Sequence, residues 1–281
     1  MKSGFVAIIG PPNVGKSTLL NKILGEKLTA VTDKPQTTRS RFLGIYSTGD
    51  CQIIFLDTPG AHESAKQLNQ YMMQEVAGAI NDADVVLFLF DGTKEDTFFD
   101  QFVNELIVKH PSKNFLTVVN KLDLRRGDIH GAHSISALTG EGVQNLLTTI
   151  QNLLPEGPAY YPTDELTDKN LRYLASEIIR EKAMELTFQE IPYSLAVEII
   201  SYKEEPEIVR IEANLIVEQE SQKGMVIGQG AKLIKEIGIK SRKDIEKLID
   251  NNVYLKLNVK VDKSWTKNPA RLDHYGYGKM K

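Results

Sequence analysis

Gly10-Pro11-Pro12-Asn13-Val14-Gly15-Lys16-Ser17 has the residue types of a phosphate cradle. Two glycines bracket four residues and Lys-Ser follows, which is the phosphate-loop pattern. Backbone N–H groups from Gly10 through Thr18, helped by a helix N-terminus, can wrap anionic oxygens. Lys16 reaches the outer phosphates, and the Ser17 hydroxyl is a magnesium ligand. Downstream, Asp57-Thr58-Pro59-Gly60 offers a carboxylate to hold a magnesium-bound water and an amide, that of Gly60, to meet a terminal phosphate. Between the two lies Pro35-Gln36-Thr37-Thr38-Arg39. A nucleotide switch needs a hydroxyl that meets magnesium only while the last phosphate is present. Thr38 is the candidate and Thr37 the alternative. Lys16, Thr38 and Gly60 are thus the expected catalytic positions, with Ser17, Thr38 and Asp57 the expected metal ligands. Ala61 stands where a water-orienting glutamine often occurs. His62 offers a substitute, but a solvated loop histidine is the plainer reading.

A second group of residues recognises a base. In Asn120-Lys121-Leu122-Asp123, the Asp123 carboxylate can accept from the ring N–H and the exocyclic amine of guanine. Adenine presents the opposite polarity and leaves the carboxylate unpaired, so the site discriminates strongly. Asn120 ties this loop to the phosphate loop, and the Lys121 stem lies on the base. Ser136-Ala137-Leu138 supplies an amide for the guanine carbonyl oxygen. This motif argues against a kinase or ATPase.

The elements needed to position these groups are present. Phe5 to Ile9 reads as a buried strand and the residues after Ser17 as a helix, the context a phosphate loop requires. Arg41 to Ser47 and Cys51 to Leu56 form a hairpin around Gly49-Asp50. Lys66 to Ile80 and Thr97 to Lys109 have helical spacing. Asp84 to Phe90 and Asn114 to Val119 read as central strands. The interval from Asp123 to Ser136 is too short for a full helix and strand, so the helix there is expected to be missing or reduced to a turn. Val143 to Leu154 closes the domain as a helix.

The expected organisation is a nucleotide domain at 1–155, a proline-rich linker at 156–168 and a second domain at 169–281. The second domain begins with a long helix over Leu171 to Phe188. Strands at Tyr193 to Ser201 and Ile208 to Val217 follow. A glycine-bearing turn runs from Gln222 to Lys232, then come a helix through Ile237 and a further helix over Ser241 to Ile249. A half-exposed strand ends the module at Val253 to Val261. The net charge of −3 hides an asymmetry: Ser221 to Lys281 carries +8 and the preceding 220 residues −11. A basic end on an acidic body suits a polyanion. Lys223, Gly224, Met225, Ile227, Gly228, Gln229, Gly230, Ala231, Lys232 and Lys235 are the expected RNA contacts, because a glycine turn lets a nucleic-acid backbone approach closely. No run reaches the length of a membrane span and no secretory signal is evident, so a cytoplasmic location is expected. Cys51, the single cysteine, excludes an intrachain disulfide and reads as buried and inert.

Together GPPNVGKS, PQTTRSR, DTPG, NKLD, the SAL loop, KGMVIG and VKVDKSWTKNP resemble the Era family of bacterial GTPases over essentially the whole chain. The resemblance implies an α/β P-loop GTPase domain, a mostly parallel sheet with helices on both faces, followed by an α+β type II KH domain. It implies GTP/GDP and Mg2+ as ligands, slow GTP hydrolysis, and potassium held near Asn13. It implies binding to the 3′ end of 16S ribosomal RNA and assistance to 30S subunit assembly by a monomer that also visits the inner face of the membrane. Two departures stand out. The family's Gly-x-x-Gly loop is here Gly228-Gln229-Gly230-Ala231, which puts RNA clamping there in question. The short stretch after Asp123 bears on the guanine pocket. A non-catalytic RNA-binding assembly factor that only retains guanine nucleotide is the alternative.

Overall fold

The computed structural model describes residues 1–60, 67–124 and 131–277. Ala61 and His62 lie outside them. The chain divides into two compact units, with the break after Asp168.

The first unit is built on a six-stranded sheet of order β2-β3-β1-β4-β5-β6. Its strands are β1 (Lys2–Ile9), β2 (Phe42–Ser47), β3 (Cys51–Asp57), β4 (Val85–Asp91), β5 (Asn114–Asn120) and β6 (His133–Ser134). All pairings are parallel except β2 with β3. The helices are α1 (Lys16–Leu24), α2 (Gln67–Asp82), α3 (Thr97–Lys109) and α4 (Val143–Leu153). Apolar residues run unbroken from Phe5 to Ile9 in β1 and from Val85 to Phe90 in β4 because both faces are covered. Ala7, Ile9, Val86 and Phe88 pack against Val76, Ile80 and Phe99 of α2 and α3. Val6, Ile8, Leu87 and Leu89 are equally buried on the other face. Each buried Val, Ile, Leu or Phe side chain contributes about 1.5–3 kcal/mol. Asp96 caps α3 by accepting from Phe99 N at 3.0 Å, a contribution of about 1 kcal/mol.

Between Lys121 and His133 the described residues form only a 3-10 turn, Leu122–Leu124, so no full helix occupies this interval among them. β5 is less covered than β4. Phe115, Leu116 and Val119 are half-buried and Thr117 is exposed, whereas β4 is almost wholly buried.

Residues 156–168 are not a free tether. Buried Gln52 of β3 accepts from Tyr160 N and Tyr161 N and donates to Tyr161 O. Ile45 N donates to Leu166 O, and Thr167 Oγ1 to Leu43 O. The stretch is strapped along β2 and β3. Its prolines suit an extended path, and the strands supply its hydrogen bonds.

The second unit holds α5 (Leu171–Leu186), β7 (Ala196–Glu205), β8 (Ile208–Val217), α6 (Glu220–Ile227), α7 (Lys232–Ile249), β9 (Asn252–Val261) and α8 (Pro269–His274). Its sheet order is β7-β8-β9, with β7 antiparallel and β9 parallel to β8. Ile179, Ala183, Ile211, Leu215, Val226, Ile237 and Ile245 form its core. Three expectations are corrected here. Residues 191–194 form a 3-10 turn, so the strand starts at Ala196 rather than Tyr193. Much of the expected turn at Gln222 to Lys232 is helix α6, opened by a capping box of Gln219 and Gln222. The two expected helices after it are one, α7. Gly238 costs that helix about 1 kcal/mol relative to alanine, and burial of the apolar side chains of Ile237 and Ile245 on either side outweighs it. Ala30–Thr37 also belongs to this unit. Lys34 reaches the carbonyls of Met184, Glu185 and Thr187 at the C-terminal end of α5, where unpaired carbonyls attract a cation.

Candidate functional site

The phosphate loop joins β1 to α1. Gly15 sits at the helix N-cap with φ 101°, a left-handed backbone that suits glycine. A Cβ at Gly15 would stand 2.3 Å from Asn120 Nδ2. That amide donates to Val14 O at 2.8 Å, and Asn120 Oδ1 accepts from Ala137 N at 2.8 Å. Asn120 therefore clasps the phosphate loop and the Ser136–Leu138 loop together. The Ala137 amide, one of those expected to face a base, is turned to Asn120. Gly10, Pro11, Pro12, Asn13 and Val14 form the rest of the loop, with Thr18 on the first turn of α1. Thr58 Oγ1 donates to Ile8 O at 2.8 Å. A Cβ at Gly60 would stand 2.7 Å from Pro12 N, so the Asp57–Gly60 turn rests on the phosphate loop.

Lys16 is buried and donates to Gly10 O (2.9 Å) and Pro11 O (2.8 Å). Burial pulls its ammonium down to about 8, against the opposing influence of Asp57. Burial also pushes Asp57 up to about 6, although Lys16 and hydrogen bonds from Ser17, Thr38 and Thr58 act the other way. Ser17 Oγ donates to Asp57 Oδ2 at 2.7 Å and lies 2.9 Å from Thr38 Oγ1. Asp57 Oδ1 is buried with no hydrogen-bond partner among the described residues. A carboxylate with an orphaned oxygen beside two hydroxyls is an oxygen donor set for a hard divalent cation, and magnesium fits it. Thr37 turns elsewhere: its Oγ1 meets Thr32 Oγ1 (2.7 Å) and donates to Lys34 O (2.8 Å). Of the two adjacent threonines, the geometry brings Thr38 to Ser17.

In the base loop, Asp123 Oδ1 accepts from Ser136 Oγ at 2.5 Å. Lys121 has φ 70° and donates through Nζ to Asp91 Oδ2 at 2.7 Å. Sequence reasoning missed Asp91. The available signal was an Asp-Gly pair ending an apolar strand.

The second unit presents a groove of about 370 Å3 between α7 and β9. Ile234, Gly238, Leu255 and Leu257 line it together with exposed Ile239 and Tyr254, and Lys235 and Arg242 supply the cations. Arg210 stacks over Tyr254 at 5.6 Å. Of the expected RNA residues, only Lys235 lines this groove. Lys223, Gly224, Met225 and Ile227 lie on α6, Gly228, Gln229 and Gly230 form the turn, and Ala231 caps α7 ahead of Lys232. Ala231 occupies a left-handed conformation, φ 59° and ψ 25°. The missed groove residues were signalled by the strict alternation of β9, which leaves Tyr254 outward.

The sequence pattern of the 50S ribosome-binding GTPase family matches residues 5–121, and that of the KH domain matches residues 190–266. GTPase Era of Geotalea uraniireducens (strain Rf4) is 43% identical over 291 residues, covering 98% of either chain. A crystal structure of Aquifex aeolicus Era, a variant bound to GDP and AlF4−, superposes with a TM-score of 0.95 at 38% identity, over 99% of this chain and 100% of that one. A structure of Era with MgGDPNP and nucleotides 1506–1542 of 16S ribosomal RNA gives 0.94 at 38% identity, with the same coverage. With a parallel sheet behind its phosphate loop and a KH module behind its basic groove, this chain belongs to the GTPase Era family.

Proposed function

We propose that the first unit binds GTP with magnesium and hydrolyses it slowly, and that the second binds the 3′ end of small-subunit ribosomal RNA to assist 30S assembly. The convergence of Ser17, Thr38 and Asp57 beside the phosphate loop carries the nucleotide reading. Asp123 accepts from the guanine N–H groups while Ser136 holds its carboxylate in place. The Lys121 stem covers the purine face. Lys16 moves from the Gly10 and Pro11 carbonyls onto the outer phosphates. Magnesium, when bound, neutralises charge on the phosphate oxygens. Ser17, Thr38 and Asp57 would hold it. Water attacks the γ-phosphate in line, and the phosphate-loop and Gly60 amides stabilise the charge that develops. Ala61 has no group to orient that water, so unaided turnover is slow. Asn13 would help hold potassium near the phosphates; equal rates in sodium and potassium at matched ionic strength remove that element.

The α7–β9 groove supports the RNA reading. Its apolar floor and Tyr254 suit base faces, and Lys235 and Arg242 suit the phosphates. The similar Era structure that holds 16S nucleotides 1506–1542 adds to this support. The deciding experiment is multiple-turnover GTP hydrolysis with and without a short RNA matching that 3′ end. Turnover that rises with RNA is expected. Stoichiometric nucleotide retention without turnover favours the non-catalytic alternative.

A further inference from the structure

We infer that Asp91, at the C-terminal end of β4, is a positioning residue for nucleotide binding that lays out the Lys121 stem before the base arrives. Asp91 is buried, and its two oxygens have separate tasks. Oδ1 accepts from Thr93 N at 3.0 Å and Thr93 Oγ1 at 2.6 Å, which sets the carboxylate plane. Oδ2 then accepts from Lys121 Nζ at 2.7 Å, a charge-assisted bond. The more exposed Lys94 stands 3.8 Å from the same oxygen. One residue on, Gly92 N donates to Asn120 O at 2.9 Å, so the end of β4 grips the start of the base loop at two points. Burial acts to raise the Asp91 pKa, but the bonds from Lys121 and Thr93 outweigh it, and the carboxyl stays below the usual range.

The need for this grip follows from the local fold. Lys121 has a left-handed backbone that a lysine rarely adopts, and its side chain has four rotatable bonds. On the far side of the loop the described residues provide only the 3-10 turn at Leu122–Leu124 and the two-residue β6. Ser136 and Ala137 hold Asp123 and Asn120 on that side, and the carboxylate that meets Lys121 Nζ is that of Asp91, at the end of β4. A stem pinned at its ammonium end loses little further freedom on binding a base, which is how preorganisation raises affinity.

The inference rests on the proposed guanine reading, so the experiment separates the two. Asp91→Asn is expected to raise the Kd of fluorescent GDP about tenfold, by analogy with loss of one charge-assisted hydrogen bond. The KM for GTP rises by the same factor while kcat at saturation holds, and Asp91→Glu restores part of the affinity. On a Lys121→Ala background, Asp91→Asn adds no further loss, because its effect passes through Lys121. Thermal melting checks that each variant is folded. An unchanged Kd in Asp91→Asn, or an equal loss on both backgrounds, overturns the positioning role. Asp123→Asn tests the parent reading: if it keeps full guanine affinity, that reading fails, and the positioning role with it.

Discussion

The phosphate loop before α1 and the Gly228–Ala231 turn before α7 both bring the backbone through left-handed residues to a helix N-terminus. They are held differently. The phosphate loop is buttressed by Asn120 on Val14, by Gly60 against Pro12 and by the buried Lys16. The second turn is closed by Ala231 N donating to Gly228 O at 3.1 Å, and Gln229 and Gly230 are exposed. One loop is over-determined by its surroundings, which suits a ligand of fixed shape. The other is held mainly by its own backbone, and it has placed an alanine where glycine is the cheaper residue. A loop proposed to follow a flexible nucleic-acid strand can tolerate that looseness. A loop that must present several amides to a phosphate cannot.

This contrast can be broken most sharply at Gly15. In Gly15→Ala, the new Cβ meets Asn120 at a backbone φ of 101°. Roughly a hundredfold loss of GDP affinity is expected. Isothermal titration that finds wild-type affinity means Asn120 is not a rigid buttress. Next come paired substitutions in the second turn. Gly228→Ala places a Cβ 2.8 Å from Leu233 Cβ at φ 72° and ψ 168°, whereas Gly230→Ala meets nothing within 4 Å. The expected costs are about 2–3 kcal/mol and about 1 kcal/mol in denaturant unfolding of the second unit. Equal costs would show that the Leu233 contact and the rarer backbone region of Gly228 both relax on substitution.

Ala231→Gly runs the other way, relieving about 1 kcal/mol of left-handed strain less the extra chain entropy of glycine. A higher Tm and a few-fold tighter grip on the 3′-end RNA are expected; a lower Tm means the alanine conformation is unstrained. The smallest effect is expected from Lys235→Ala. Removing one phosphate contact flattens the salt dependence of RNA affinity by about 0.7 in log–log slope. An unaltered slope places the strand elsewhere than in the groove.

Much of the first unit could be read from its residues. Strand, glycine loop and helix were each marked by local pattern, and counting residues after Asp123 led to the expectation of no full helix, which agrees with the single 3-10 turn among the described residues there. The second unit was harder. Gly224 masked α6, and Gly238 made the continuous α7 look like two helices. The 156–168 stretch has the composition of a free linker, yet Gln52, more than a hundred residues earlier, straps it to the sheet. Nothing local to the prolines announces that partner.

The sequence alone determined the chemistry on offer: Lys16, the three oxygen donors and the Asn120–Asp123 string, because their types and their places relative to strand ends are local facts. Tertiary structure decided which candidates meet. It brought Thr38 rather than Thr37 to Ser17, joined Asp91 to Lys121, and opened a groove between α7 and β9 beside the glycine turn. These contacts depend on chain segments far apart in number. Only the packed core sets such distances, because a side chain's reach is a few ångströms and the order of residues does not state which backbones lie within it.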